Sequence, residues 1–186
     1  EVLDGVEPRL LALGLKARGR ALRDLGHADE SLEAFERALE IARRASDRST
    51  EARVLGHVAF TRMQMGEDEA ALALLDEATR TAHDAGDRRS EGMLLASVGI
   101  VRVRLGRLDD AARAFDAALA IDEEVGNRYG RAAALAARGE LHRACGRSEA
   151  ARSDLEAALE GYREFGERRH EGIAHTALGV LYEEQK

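Results

Sequence analysis

Glycine returns every 40 residues along this chain, at Gly26, Gly66, Gly106 and Gly146. Nine residues after each stands a large apolar side chain: Phe35, Leu75, Phe115 and Leu155. Ala38, Ala78, Ala118 and Ala158 come three residues further on, and Ser31, Ala71, Ala111 and Ala151 keep a small residue ahead of the large one. A second ladder runs through Gly19, Gly99, Gly139 and Gly179, with Ala59 in the remaining place. Registers that agree over four successive repeats point to a supersecondary unit stacked on copies of itself.

Each repeat reads as helical. Alanine and leucine dominate and the single proline is Pro8, so propensity favours helix almost throughout. In the third repeat Leu94, Val98, Val101 and Leu105 recur at spacings of four, three and four. After Gly106, the residues Ala111, Phe115, Ala118, Leu119 and Asp122 continue on one face. The turn glycines fall where a helix should stop, with Asp or Glu soon after to favour the next start. A second set of breaks is Ser46-Asp47, Gly86-Asp87, Gly126-Asn127 and Gly166-Glu167. The pattern predicts helices over 10–25, 28–45, 49–65, 68–85, 89–105, 108–125, 129–145, 148–165 and 169–184. They pair as antiparallel hairpins in repeats 9–48, 49–88, 89–128 and 129–168, and the last helix covers the open end. Gly99 and Gly139, lying inside helical stretches, mark tight crossings. The expectation is one all-α solenoid domain over residues 1–186.

Composition removes several classes of function. With 45% hydrophobic and 34% charged residues, the chain is too apolar for disorder and too charged for a membrane protein. Its 35 acidic and 28 basic residues are interspersed and give a net charge of −7. That mixture argues against a nucleic-acid partner, which needs a basic stripe. No run approaches the roughly 18 apolar residues of a spanning helix, and a cytoplasmic location is expected. Cys145 is the only cysteine, so neither an internal disulfide nor a cysteine zinc cluster can form. The chain starts at Glu1 rather than Met, which suggests a piece cut from a longer protein.

Catalytic chemistry finds little support. The histidines are His27, His57, His83, His142, His170 and His175, and the closest pair in sequence is five residues apart. That offset is poor for two ligands on one helix face, where i and i+4 is useful. Asp109-Asp110 and Glu123-Glu124 fall at a helix start or on a solvated back face, where charge is expected. No Gly-rich loop ends in Lys-Ser or Lys-Thr, and no serine sits in a nucleophile elbow. No enzyme activity, metal or cofactor is expected.

The registers resemble those of the tetratricopeptide-repeat family. That family pairs Leu-Gly in a first helix with a turn glycine, then Ala, Phe and Ala along a second. Here the third repeat gives Val98-Gly99, Gly106, Ala111, Phe115 and Ala118. The second gives Val58-Ala59, Gly66, Ala71, Leu75 and Ala78, and the fourth Arg138-Gly139, Gly146, Ala151, Leu155 and Ala158. The first gives Arg18-Gly19, Gly26, Ser31, Phe35 and Ala38; Leu178-Gly179 and Tyr182 match the start of a fifth. The period exceeds the family's usual ~34 residues. It is similar to the extended variant of bacterial regulatory ATPases and kinases, kinesin light chains and cell-polarity adaptors. The family's aromatic three residues after Leu-Gly is replaced by Arg62, Arg102 and His142, which points to a slightly rotated first helix.

The resemblance implies a right-handed superhelix whose first helices line a concave channel for a peptide or partner domain. The family's channel positions fall on Arg53, Gly56, Phe60, Met63 and Gln64 in the second repeat. In the third they are Met93, Ala96, Ile100, Val103 and Arg104, and in the fourth Ala133, Ala136, Glu140, Arg143 and Ala144. Phe60, Met63, Ile100 and Val103 are expected to share one patch with Arg104 and Arg143 beside it. The same side chains could instead bury against neighbouring helices of a tightly wound stack. Two functions follow: a module binding a protein or peptide partner, or a structural, self-associating or autoregulatory segment packed on its own parent kinase or ATPase.

Overall fold

The computed structural model describes residues 7–184, which form nine α-helices with no strand among them. They are α1 (Pro8–Asp24), α2 (Ala28–Arg44), α3 (Arg48–Gln64), α4 (Asp68–Asp84), α5 (Arg88–Arg104), α6 (Leu108–Glu124), α7 (Arg128–Ala144), α8 (Ser148–Phe165) and α9 (Arg168–Glu184). The spacing of 40 residues is kept by the starts of α3, α5, α7 and α9, and by those of α2, α4, α6 and α8. Two compact units divide the chain, with the boundary between Leu94 and Leu95 inside α5.

The helix ends follow from local chemistry. Asp47 accepts hydrogen bonds from the Thr50 backbone N–H (3.0 Å) and hydroxyl (2.8 Å), and Asp87 does the same for Ser90 (3.1 and 2.8 Å). Asn127 accepts from the Gly130 N–H at 3.3 Å. These side chains satisfy amides that a helix start leaves open, so α3, α5 and α7 begin one residue earlier than periodicity alone suggests. The second helices start without such caps but carry acids in the first turn, as at Asp68 and Glu69 of α4. Seven turns close on a glycine with φ between 64° and 85°. Ser46 fills the eighth at φ 53°, a conformation that disfavours a side chain.

In the N-terminal unit α1 packs on α2, α2 on α3 and α3 on α4. The C-terminal unit pairs α6 with α7, α7 with α8 and α8 with α9. Within the units the backbones of α1 and α3, and of α7 and α9, also approach each other, while α2 meets α4 through the long Arg43–Glu77 ion pair at 3.2 Å rather than by close packing. The first helices of the hairpins therefore form the inner layer of each unit, and the second helices the outer one.

The repeated registers are the core. Ser31, Phe35 and Ala38 are fully covered, as are Ala111, Phe115 and Ala118. Each buried phenylalanine contributes about 1.5–3 kcal/mol through the apolar surface it removes from water. The inner glycines explain how the rings fit. A Cβ on Gly99 would lie 2.5 Å from the Phe115 ring, and one on Gly19 would lie 2.6 Å from Phe35. Ser31 adds a hydrogen bond from its hydroxyl to the Gly19 carbonyl at 2.8 Å. In the second repeat Ala59 faces the smaller partner by register, Leu75, and both are buried.

Candidate functional site

The channel positions divide between the two units. In the N-terminal unit Phe60 is 41% exposed on α3 and Gln64 is exposed beside the half-buried Met63. Gly56 gives the Leu94 side chain a close approach, since a Cβ there would lie 2.7 Å from its methyl group. Met93, on the part of α5 that belongs to this unit, is 52% exposed. Arg53 is half-buried; it donates to the Thr50 hydroxyl at 3.3 Å, and its Nε is buried without a hydrogen-bond partner.

Subtracting one period from the α3 positions gives Lys16, Arg20 and Arg23 on α1, which periodic reading of the other repeats leaves out. The Arg23 guanidinium lies over the Phe60 ring, 4.6 Å from its centroid, and also binds Asp24 at 3.0 Å. His57 stacks on the buried Phe35 ring at 5.7 Å. Burial first, and then the charges of Arg23, Lys16, Arg20 and Arg53, push the His57 imidazole down to about 4. Burial, followed by Arg53 and Arg20, also holds the Lys16 ammonium below its usual value.

A pH dependence follows from His57. Its folded pKa lies below the unfolded value, so the unfolded chain binds the proton more readily. The stabilising effect of a neutral His57 is complete above the unfolded value of 6.5 and is lost as pH falls through about 4. The expected loss approaches 3 kcal/mol at most, roughly, at 1.36 kcal/mol per pKa unit. His57→Gln should remove this part of the acid sensitivity. Denaturant unfolding of both proteins at pH 7.5 and pH 4.5 measures it, and parallel losses in the two would refute it.

The C-terminal unit carries the remaining channel positions. Ile100 is 41% exposed and Arg104 is exposed, whereas Val103 is half-buried and packs against the Ala111, Phe115 and Leu141 cluster. Ala133, half-buried, and Ala144, exposed, leave the α7 surface open, with Ala136 packed toward Leu155 and Leu178. Arg143 donates twice to Glu140, at 3.0 and 3.1 Å, and once to Glu184 of α9 at 2.7 Å. That pairing neutralises the Arg143 charge, whereas Lys16 and Arg20 on α1 have no such acid among the described residues.

The three polar replacements of the aromatic position face the adjoining second helix or the turn leading to it. Arg62 binds Glu67 at 2.8 Å, Arg102 donates to the Asp110 carbonyl at 3.2 Å, and His142 lies 3.7 Å from Asp154. They tie the ends of their own hairpins.

Among the described residues no group of three or more His, Cys, Asp or Glu side chains could hold a metal ion. None of the described helices is long and apolar enough to cross a membrane. Cys145 is a half-buried free thiol.

Comparison with known proteins agrees with this architecture. Two family profiles described as tetratricopeptide repeat match residues 89–164 and 17–49, together more than half of the chain. A profile for anaphase-promoting complex subunit 5 matches residues 52–104. No curated protein matches in sequence. Among solved structures, the chain is similar to aspartyl phosphate phosphatase F from Bacillus subtilis (TM-score 0.79, 14% identity, 96% of this chain and 50% of that one). It is also similar to the Rap conjugation gene regulator of plasmid pLS20 in complex with a Phr peptide (0.87, 19%, 98% and 50%). A third is a signal transduction ATPase with a tetratricopeptide-repeat sensor from Pyrococcus horikoshii (0.78, 15%, 96% and 28%). The chain thus spans half or less of these three proteins, and identities this low show the fold alone. With its hairpin registers buried as the repeat requires and its sequence matched over both units, the chain belongs to the tetratricopeptide-repeat family.

Proposed function

We propose that this chain is the partner-binding segment of a larger bacterial regulatory protein, and that it takes a peptide or domain of its partner on the inner faces of its first helices. The observation that carries this reading is the exposure of Phe60, Met93 and Ile100 on helices whose opposite sides are closely packed. Exposed large apolar side chains on closely packed helices supply the area that an extended or helical segment needs. The Rap regulator, a fold relative, is described in complex with a peptide, and the Pyrococcus horikoshii relative as carrying a repeat sensor, which lends the reading further support. Ile100→Asp is expected to abolish partner capture while moving stability by less than about 1 kcal/mol. Ala117→Asp, on the outer helix α6, should leave capture intact. Cross-linked pull-down beside a thermal melt tests both variants. Retained capture by folded Ile100→Asp would sink this reading, and an unfolded variant would put Ile100 in the core.

A second reading, a segment that packs on its own parent chain or on another copy, draws on α9. Leu178 and Leu181 are buried there, but Ile173, Val180 and Tyr182 remain exposed. Gly179 holds the register position of Gly19, Gly99 and Gly139, yet a Cβ on it would meet nothing within 4 Å. This face has room for the side chain that fills the same notch in earlier repeats. Sedimentation of the chain as a concentration-dependent dimer would favour this reading.

A further inference from the structure

Helix α9 packs on α8 and α7 through Ala174, Leu178 and Leu181, and its opposite side is uncovered. On that side Arg169, Ile173, Thr176, Val180 and Glu183 follow one another at spacings of four, three, four and three. All five are exposed, and their spacing is that of a coiled-coil seam. Gly172 and Gly179 flank the seam, and a Cβ on either would meet nothing within 4 Å. The Thr176 hydroxyl donates to the Gly172 carbonyl at 2.9 Å, so it brings no unsatisfied donor to a dry contact. The seam is basic at its start and acidic at its end. Neither Arg169 nor Glu183 has an ion-pair partner among the described residues, whereas the neighbouring Glu184 is held by Arg143.

These features are symmetric about Thr176. Arg169 and Glu183 lie seven residues to either side of it, Ile173 and Gly179 three, and Gly172 and Val180 four. A second α9 laid antiparallel, with a twofold axis at Thr176, sets Arg169 of each copy opposite Glu183 of the other. It also seats Ile173 over the open notch at Gly179, and Val180 over Gly172. Laid parallel, the same helices would oppose arginine to arginine and glutamate to glutamate. We propose that α9 is the interface of an antiparallel homodimer, in which a second copy of this chain covers the open face. The proposal rests on the self-association reading above and fixes its orientation and contacts. Seventeen residues of helix span about 25 Å. The pairing therefore buries an area at the small end of specific interfaces, and the dimer is expected to form in the micromolar range.

The test is sedimentation velocity of the whole chain over a concentration series. The parent is expected to show a reversible monomer–dimer equilibrium that weakens at high salt, where the end charges are screened. Ile173→Asp should sediment as a monomer. Arg169→Glu and Glu183→Arg should each weaken self-association by at least about tenfold, because each sets like charges against one another at both ends of the seam. The double variant, with the two charges exchanged in one chain, should dimerise like the parent. A parallel pair would be indifferent to these changes, since it opposes like charges in parent and variants alike. Every variant, melted at a concentration where the parent is monomeric, should match the parent's melting temperature. A dimer that survives Ile173→Asp, or one indifferent to both charge reversals, overturns the proposal while self-association stands. A chain that stays monomeric at every concentration overturns it as well, and leaves the open face to the parent chain or to another protein.

Discussion

Replacing Arg138 alone by valine is expected to destabilise the C-terminal unit by about 3 kcal/mol, near the lower end for breaking a buried ion pair. Arg138 lies on α7 and grips Asp154 of α8 through two hydrogen bonds of 2.8 and 2.9 Å, with a third to Asp116 at 2.7 Å. Asp154 is 7% exposed, so removing the guanidinium leaves a carboxylate with little water and only His142 nearby. The repeat itself shows what the pair replaces. Positions equivalent to Arg138 and Asp154 are Val98 and Ala114 in the third repeat, and Val58 and Leu74 in the second. The double variant Arg138→Val with Asp154→Ala should therefore recover to within about 1 kcal/mol of the parent, because an apolar pair needs no desolvated charge. Chemical unfolding of the parent, both single variants and the double variant gives the coupling energy. A double variant as unstable as the sum of the singles would show that the two side chains do not act together.

This pair also marks where the sequence ceases to be readable. The 40-residue spacing identified the hairpins and the buried positions of every repeat, because small and large residues alternate there for steric reasons that periodicity displays directly. Arg138 stands in the Leu-Gly position and reads as a departure from the pattern. Its meaning lies in Asp154, sixteen residues away, and an ion pair of this kind has no period to reveal it. The cations of α1 were legible in principle. One subtraction of 40 from Gly56, Phe60 and Met63 lands on Lys16, Arg20 and Arg23. What sequence could not supply is that Arg23 binds Asp24 and lies over the Phe60 ring while Lys16 and Arg20 find no carboxylate among the described residues, since pairing depends on side chains brought together by folding. Arg143 illustrates the converse: its place on the first helix of the fourth repeat was readable, but its engagement by Glu140 and Glu184 was not.

The other large effect lies at the inner glycine of the third repeat. Phe115→Ala is expected to cost about 3–5 kcal/mol, because a fully buried ring leaves a cavity that the surrounding helices cannot close. Gly99→Ala attacks the same contact from the opposite side. It drives a methyl group to 2.5 Å from the ring and should cost about 1–3 kcal/mol despite the better helix propensity of alanine. Phe115→Leu alone opens a gap beside the glycine. Together, Gly99→Ala and Phe115→Leu reproduce the arrangement the second repeat already uses, with Ala59 and Leu75 in the same places. The combination should be more stable than the sum of the two single changes by about 1 kcal/mol or more, as expected for side chains in direct contact. Gly179→Ala is the control, since nothing lies within 4 Å of its added Cβ. It should stabilise α9 by up to about 1 kcal/mol through propensity alone. Equilibrium unfolding of the set separates the two effects. Strict additivity at Gly99 and Phe115, or a loss of stability in Gly179→Ala as large as in Gly99→Ala, would mean that the notch does not govern packing.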